Sequence, residues 1–138
     1  MGEALEISDA LVSLLQSTLG SRNVSNRTYG ILGRRKNWAA IVELRACDVV
    51  KHQLHSFARH WTFRVAIYIN DSGDPGRTMT NILSATDLAL EALLGDPTIG
   101  GTVNQIEEIE VSRNPGESLE LSGRLWIPVY LDITAVKF

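Results

Sequence analysis

His60-Trp-Thr-Phe-Arg-Val-Ala-Ile-Tyr-Ile69 is the stretch that decides the fold. Trp61, Phe63, Val65, Ile67 and Ile69 alternate with His60, Thr62, Arg64, Ala66 and Tyr68. A period of two puts the five large apolar side chains on one face of a strand and leaves the other face polar or amphipathic. Such a strand is half-buried and belongs to an antiparallel sheet. Immediately downstream, Asn70-Asp-Ser-Gly-Asp-Pro-Gly76 is a cluster of turn formers. Asp74 before Pro75 suits an N-cap with proline at the first helical position, where a missing N–H costs nothing. The expected helix carries Met79, Ile82, Leu83, Thr86, Leu90, Leu93 and Leu94 on its apolar side and ends at Gly95, before Asp96-Pro97.

Upstream, Trp38 to Leu44 predicts a strand inside the sheet. Residues 45–58 fit either a helical face or a hairpin; the reading adopted is an extended hairpin arm continuing the strands on each side. Ile7, Leu11, Leu14, Leu15 and Leu19 predict a first helix, stopped by Gly20. The basic stretch between them is read as a loop with a short strand near Thr28 to Leu32. Toward the C-terminus, Val103 to Val111 predicts a strand with Glu108 and Glu110 on one face and Glu107 on the other. A turn at Asn114-Pro-Gly116 precedes a last long strand. In it Leu119, Leu121, Leu125, Ile127, Val129, Leu131 and Ile133 share a face, and Pro128 implies a sheet edge or a bulge nearby. The order helix, strands, helix, strands gives an α+β fold over one domain, 1–138. Its expected form is a mixed or antiparallel β-sheet with two amphipathic helices packed on one face and an extended hairpin arm.

Composition bounds the function. A chain of 138 residues, 44% hydrophobic and 21% charged, builds one ordinary globular core. A net charge of −3 argues against general nucleic-acid binding, which must neutralise many phosphates. The N-terminal Met1-Gly-Glu-Ala-Leu-Glu6 is acidic where a signal peptide is positive, and no apolar run is long enough for a membrane span. Its start does not fit the myristoylation pattern, since Glu3 follows the glycine and no Ser or Thr stands where one is wanted. The single Cys47 makes no internal disulfide. These features predict a protein made and used in a reducing cytoplasm, and the sequons at Asn23, Asn26 and Asn70 then carry no weight.

No catalytic constellation emerges. His52, His55 and His60 lie near Cys47, but their spacing shares a face only on a helix, and no carboxylate after Asp48 completes a metal shell. There is no G-x-S-x-G elbow and no Walker A glycine loop. Asp71 and Asp74 lack the other oxygen ligands of a calcium loop. Paired-carboxylate chemistry at Glu107, Glu108 and Glu110 lacks any partner for a nucleophile, and a solvated strand face accounts for them better. The expectation is therefore no enzyme, no cofactor and no metal. Charge distribution says more: residues 20–37 hold five basic side chains and no acid, whereas 104–120 hold five glutamates against Arg113. Opposite patches on one small domain suit a head-to-tail contact between copies, and equally suit mere solvated loops.

The succession of these elements resembles the tail-terminator proteins of long-tailed, non-contractile phages and the related tail-completion and neck proteins. The resemblance runs over nearly the whole chain. It rests on the strand NWAAIVEL (37–44), the strand HWTFRVAIYI (60–69), the helix end ALEALLGDPTIGGTV (89–103) and the strand SGRLWIPVYLDI (122–133). Leu93 to Val103 is the most distinctive local match. The resemblance implies a hexameric ring at the head-proximal end of the tail, a virion part assembled in the host cytoplasm. Such a ring caps the tail tube, stops its polymerisation and presents a surface to the neck. Its partners would be other copies of itself, the tail tube protein and a neck or head-completion protein, with DNA passing through the lumen without specific binding. A neck, head-closure or tail-completion role on the same fold is the alternative; a small metal-dependent enzyme using His52, His55 and His60 is the alternative from another class. The interface candidates are Arg34, Arg35 and Lys36, facing an acidic neighbour, and Glu107, Glu108 and Glu110, lining the lumen or pairing subunits.

Overall fold

A computed structural model describes residues 2–27, 37–121 and 123–138. In chain order the elements are α1 (Glu3–Leu19), β1 (Val24–Ser25), β2 (Trp38–Gln53), β3 (Ser56–Asn70), α2 (Pro75–Gly95), β4 (Gln105–Ser112), β5 (Leu119–Leu121) and β6 (Arg124–Lys137). The sheet order is β1-β2-β3-β6-β4, with β5 also paired to β6. Only β1 runs parallel to its neighbour; every other pairing is antiparallel. This is the expected α+β architecture. The short strand expected near Thr28 to Leu32 lies outside the described residues.

The alternation that predicted β3 holds on its helix-facing side. Phe63, Val65, Ile67 and Ile69 enter the main core with Ile7, Leu11 and Leu15 of α1, and Trp61 packs at its margin. The opposite face is less polar than expected: Ala66 and Tyr68 are buried there with Ala39, Ile41 and Trp126 in a second, smaller core. The reason is the chain ending. Leu119 to Ile133 is not one strand, because Gly123 takes φ +74° in a turn and folds β5 back on β6. Leu119 and Leu121 therefore cover the second core instead of sharing a face with Val129 and Leu131.

Pro128 is explained by the same hairpin. β4 ends opposite Tyr130 and β5 opposite Trp126, so between them β6 has no ladder partner on that side and needs no donor. Along most of its length, however, β6 is an interior strand between β3 and β4.

The end of α1 and the start of α2 follow from capping. Gly20 N–H donates to Gln16 O, while Asn23 Nδ2 and Trp38 Nε1 donate to the carbonyl of Leu19 at 2.7 and 3.1 Å. At the start of α2, Asp74 Oδ1 accepts from the N–H groups of Gly76 and Arg77. The buried side of α2 differs from the sequence expectation. Ile82, Ala85, Ala89, Ala92 and Leu93 face the core, whereas Met79, Leu83 and Leu94 are exposed. Small side chains at steps of three and four let α2 pack closely on α1 and β3, and this geometry prevails over the larger apolar residues one flank away.

Residues 45–58 resolve into the far end of the β2–β3 hairpin, turning at Leu54-His55. The last rung shared with β6 is Arg59↔Lys137. Only 50–58 extend beyond it, so the part without a third strand is shorter than the arm expected over 45–58.

Candidate assembly surfaces

The acidic strand β4 is an edge of the sheet. Its register shifts between Ile106 and Glu108, leaving Glu107 as the extra residue of a bulge. That shift decides where the side chains point. Ile106 opposite Ala135 and Ile109 opposite Ile133 both face the helices and pack on the main core. Glu108 and Glu110, opposite Thr134 and Asp132, face the other way. Glu107 was expected on the face opposite to them. Instead its carboxylate meets His60 Nδ1 at 2.5 Å, and His60 lies on the outer face. The bulge thus gathers Glu107, Glu108 and Glu110 toward one side of the sheet edge.

The outer face beside them holds a polar chain of contacts. Arg64 makes a two-point contact with Asp132, Nε to Oδ1 at 2.9 Å and Nη2 to Oδ2 at 3.1 Å. Its guanidinium lies 4.4 Å from the centre of the Tyr130 ring. Tyr130 donates in turn to Glu117. Hydrogen bonding to Arg64 holds the Asp132 carboxyl below its usual range. Burial first, and then the Glu117 carboxylate, push the Tyr130 hydroxyl up to about 12.

On the helix-facing side, α1 and α2 do not reach the sheet's last edge. A groove of about 270 Å³ opens between the end of α2 and β4, lined by Leu93, Leu94, Pro97, Ile106 and Ile109, with Glu107 and Glu108 at its rim. Another, of about 220 Å³, lies farther along and includes Met79, Ile82, Arg113 and Ile127. Leu83 falls on the same flank of α2 by helical spacing. With the exposed flank of α2 that carries Met79, Leu83 and Leu94, these two hollows make a largely apolar strip beside the edge strand, the trough, with Asp71 and Arg113 at its far end.

The remaining large exposed apolar side chains concentrate at the hairpin end, where Val49, Val50, Leu54 and Phe57 are each at least half exposed. His52 stacks there on Phe138, with ring centres 4.4 Å apart. His52 and His60 are thus engaged with different partners, and His55 sits exposed in the turn. Among the described residues no group of three or more His, Cys, Asp or Glu side chains is placed to hold a metal ion. Arg34, Arg35 and Lys36 lie outside the described residues. No helix among those described is long and apolar enough to cross a membrane.

The trough was not anticipated from sequence, because Met79, Leu83 and Leu94 were assigned to the core. The available signal was the competing series Ala85, Ala89 and Ala92, whose spacing marks a close-packing face equally well. Compared with models of known protein families the chain matches none, and no match is found among curated proteins.

Proposed function

We propose that this chain is a structural subunit that assembles head-to-tail into a ring, with the role of a phage tail terminator. The observation that carries this reading is the pair of dissimilar open edges on one sheet. On one side β2 pairs outward, among the described residues, only with the two residues of β1, through Ala40 and Ile41. On the other, β4 has no outer partner among the described residues and carries Glu107, Glu108 and Glu110. Unlike edges on opposite sides of a domain favour a heterologous contact, which closes into a ring when the rotation permits. The order of elements that resembles the tail terminators supports the choice of ring. The acidic face supports a lumen that does not grip passing DNA, since carboxylates repel phosphate.

The test is deletion of the gene in its phage. Tails of uncontrolled length that fail to join heads are the expected result, restored to normal by the wild-type chain supplied in trans. Tails of normal length without the protein would overturn the role.

A further inference from the structure

The exposed apolar side chains of the described residues gather mainly in two places, the hairpin end (Val49, Val50, Leu54, Phe57) and the trough beside α2 (Met79, Leu83, Leu94) and β4 (Val111). Neither place is covered by the described residues, and apolar surface concentrated in this way marks a binding surface. We propose that the trough between α2 and β4 seats the hairpin end of a second copy of this chain. The inference rests on the ring reading and specifies its contact.

Three observations select this occupant. First, the hairpin cannot fill its own trough. β3 is held in the sheet as far as Arg59, which pairs with Lys137 and is bound by Glu3 on α1. Its end is therefore directed away along the strand axis, two strands removed from β4. Second, charge is complementary. Lys51 is the only fully charged side chain from Val49 to Ala58, with His52 and His55 beside it, whereas the β4 edge that bounds the groove carries Glu107, Glu108 and Glu110 on its outer side, where a strand laid along that edge presents its own outward side chains. Third, the backbones match. The distal hairpin strand β2 has an open outer edge among the described residues, and so does β4, so a docked hairpin can add main-chain hydrogen bonds to the edge it lies against. The Glu107 bulge restricts that edge to a partner able to accommodate it, which disfavours indiscriminate strand pairing.

Such a contact joins two different patches, so each copy offers one hairpin and one trough. Crosslinking of the full chain tests it. In a Cys47→Ser background, Leu54→Cys and Leu94→Cys are made as separate variants and mixed in equal amounts under mild oxidation. The expected product is a disulfide dimer that forms in the mixture and in neither variant alone. In parallel, Leu94→Asp and Phe57→Asp, both at exposed positions, should each raise the concentration needed for assembly about tenfold or more while leaving thermal unfolding unchanged. An equimolar mixture of those two should recover dimers but nothing larger, since only one intact hairpin–trough pair remains. Wild-type assembly that survives both Asp substitutions, with no mixed disulfide, overturns the docking and leaves the ring reading standing. A Leu54→Cys variant that crosslinks to itself also overturns it, because that requires a symmetric contact. A chain that stays monomeric to its solubility limit without mixed crosslinks overturns it as well; tail length in the deletion phage then judges the ring reading separately.

Discussion

Glu3 and Arg59, 56 positions apart in sequence, form a two-point contact in which Arg59 Nε and Nη2 donate to the Glu3 carboxylate at 2.8 and 3.0 Å. Trp61 Nε1 donates to the same carboxylate, and Lys137 Nζ stands 3.7 Å away. One acidic side chain in the first turn of α1 therefore ties the helix to β3 and to the end of β6. Its place in that first turn also suits the positive end of the helix dipole. The contact fixes the base of the hairpin at the point where β6 ends.

Glu3→Gln is accordingly expected to cost about 1–2 kcal/mol at neutral pH, below the upper range for hydrogen bonds to charged groups because the pair is partly solvated. Its pH dependence has a definite sign. The Arg59 hydrogen bonds hold the Glu3 carboxyl below its usual range, against the opposing effect of burial. A depressed folded-state pKa means the stabilisation is complete above the unfolded value, about 4.3, and is lost as pH falls through the folded value. Urea unfolding of wild type and Glu3→Gln should give stability curves that lie apart at pH 7 and converge in acid. Parallel curves down to acid would show that Glu3 contributes no linkage.

Tyr130 should ionise well above the range of an ordinary tyrosine. Burial is the larger cause and the Glu117 carboxylate the next, which together place its hydroxyl at about 12. An absorbance titration with folding monitored by circular dichroism should show a late step that Tyr130→Phe removes. Glu117→Gln should bring that step earlier, since it deletes an acceptor charge while leaving the burial unchanged. If the late step persists in Tyr130→Phe, another residue is responsible.

How much of this was legible in advance differs from element to element. Strand β3 and the start of α2 were readable because one periodicity and one cap each had no competitor. The trough was not, because α2 carries two apolar series on adjacent flanks, and periodicity alone does not say which one packs. The placement of Glu107 depended on a bulge, a one-residue insertion in the pairing that shows only once β4 is laid against β6. The fold of Leu119 and Leu121 depended on a turn at Gly123 that the matching alternation of apolar residues on either side of it concealed. The acidic residues were recognised as a surface feature, but their common side was set by pairing and not by sequence spacing.

Trp126 gives a test of the second core. Its side chain is fully buried, and Nε1 finds no acceptor among the described residues. A buried donor left unpaired costs about 1–3 kcal/mol, which offsets part of what burying the ring contributes. Trp126→Phe keeps most of the aromatic volume and removes the donor, so its net effect should stay within about 1 kcal/mol of zero. Trp126→Ala should cost about 3–5 kcal/mol, since it also empties the site. Denaturant unfolding measures both. A Phe variant as damaging as the Ala variant would mean that the indole N–H is satisfied in solution.

Ile99 offers the sharpest test of local geometry, because its backbone and its side chain make opposite demands. It is 1% exposed, yet its φ is +49°, a left-handed conformation that β-branched residues rarely adopt. Gly100 and Gly101 follow at φ +63° and +78°, so a left-handed run turns the chain from α2 toward β4. Asp96 braces the turn by accepting from the N–H groups of Thr98 and Gly100 and from the Thr98 hydroxyl. Replacing Ile99 by Ala should cost about 2–5 kcal/mol through lost burial while keeping the backbone strain. Glycine loses the same contacts but relieves the strain. Elsewhere in a fold a Gly variant is typically less stable than Ala by about 0.4–1 kcal/mol, through the greater entropy of its unfolded chain. Here Ile99→Gly should be at least as stable as Ile99→Ala, because φ +49° suits glycine and strains alanine. Thermal or urea unfolding of the two variants reads the difference directly, and an Ala variant clearly more stable than Gly would refute the left-handed assignment at this position.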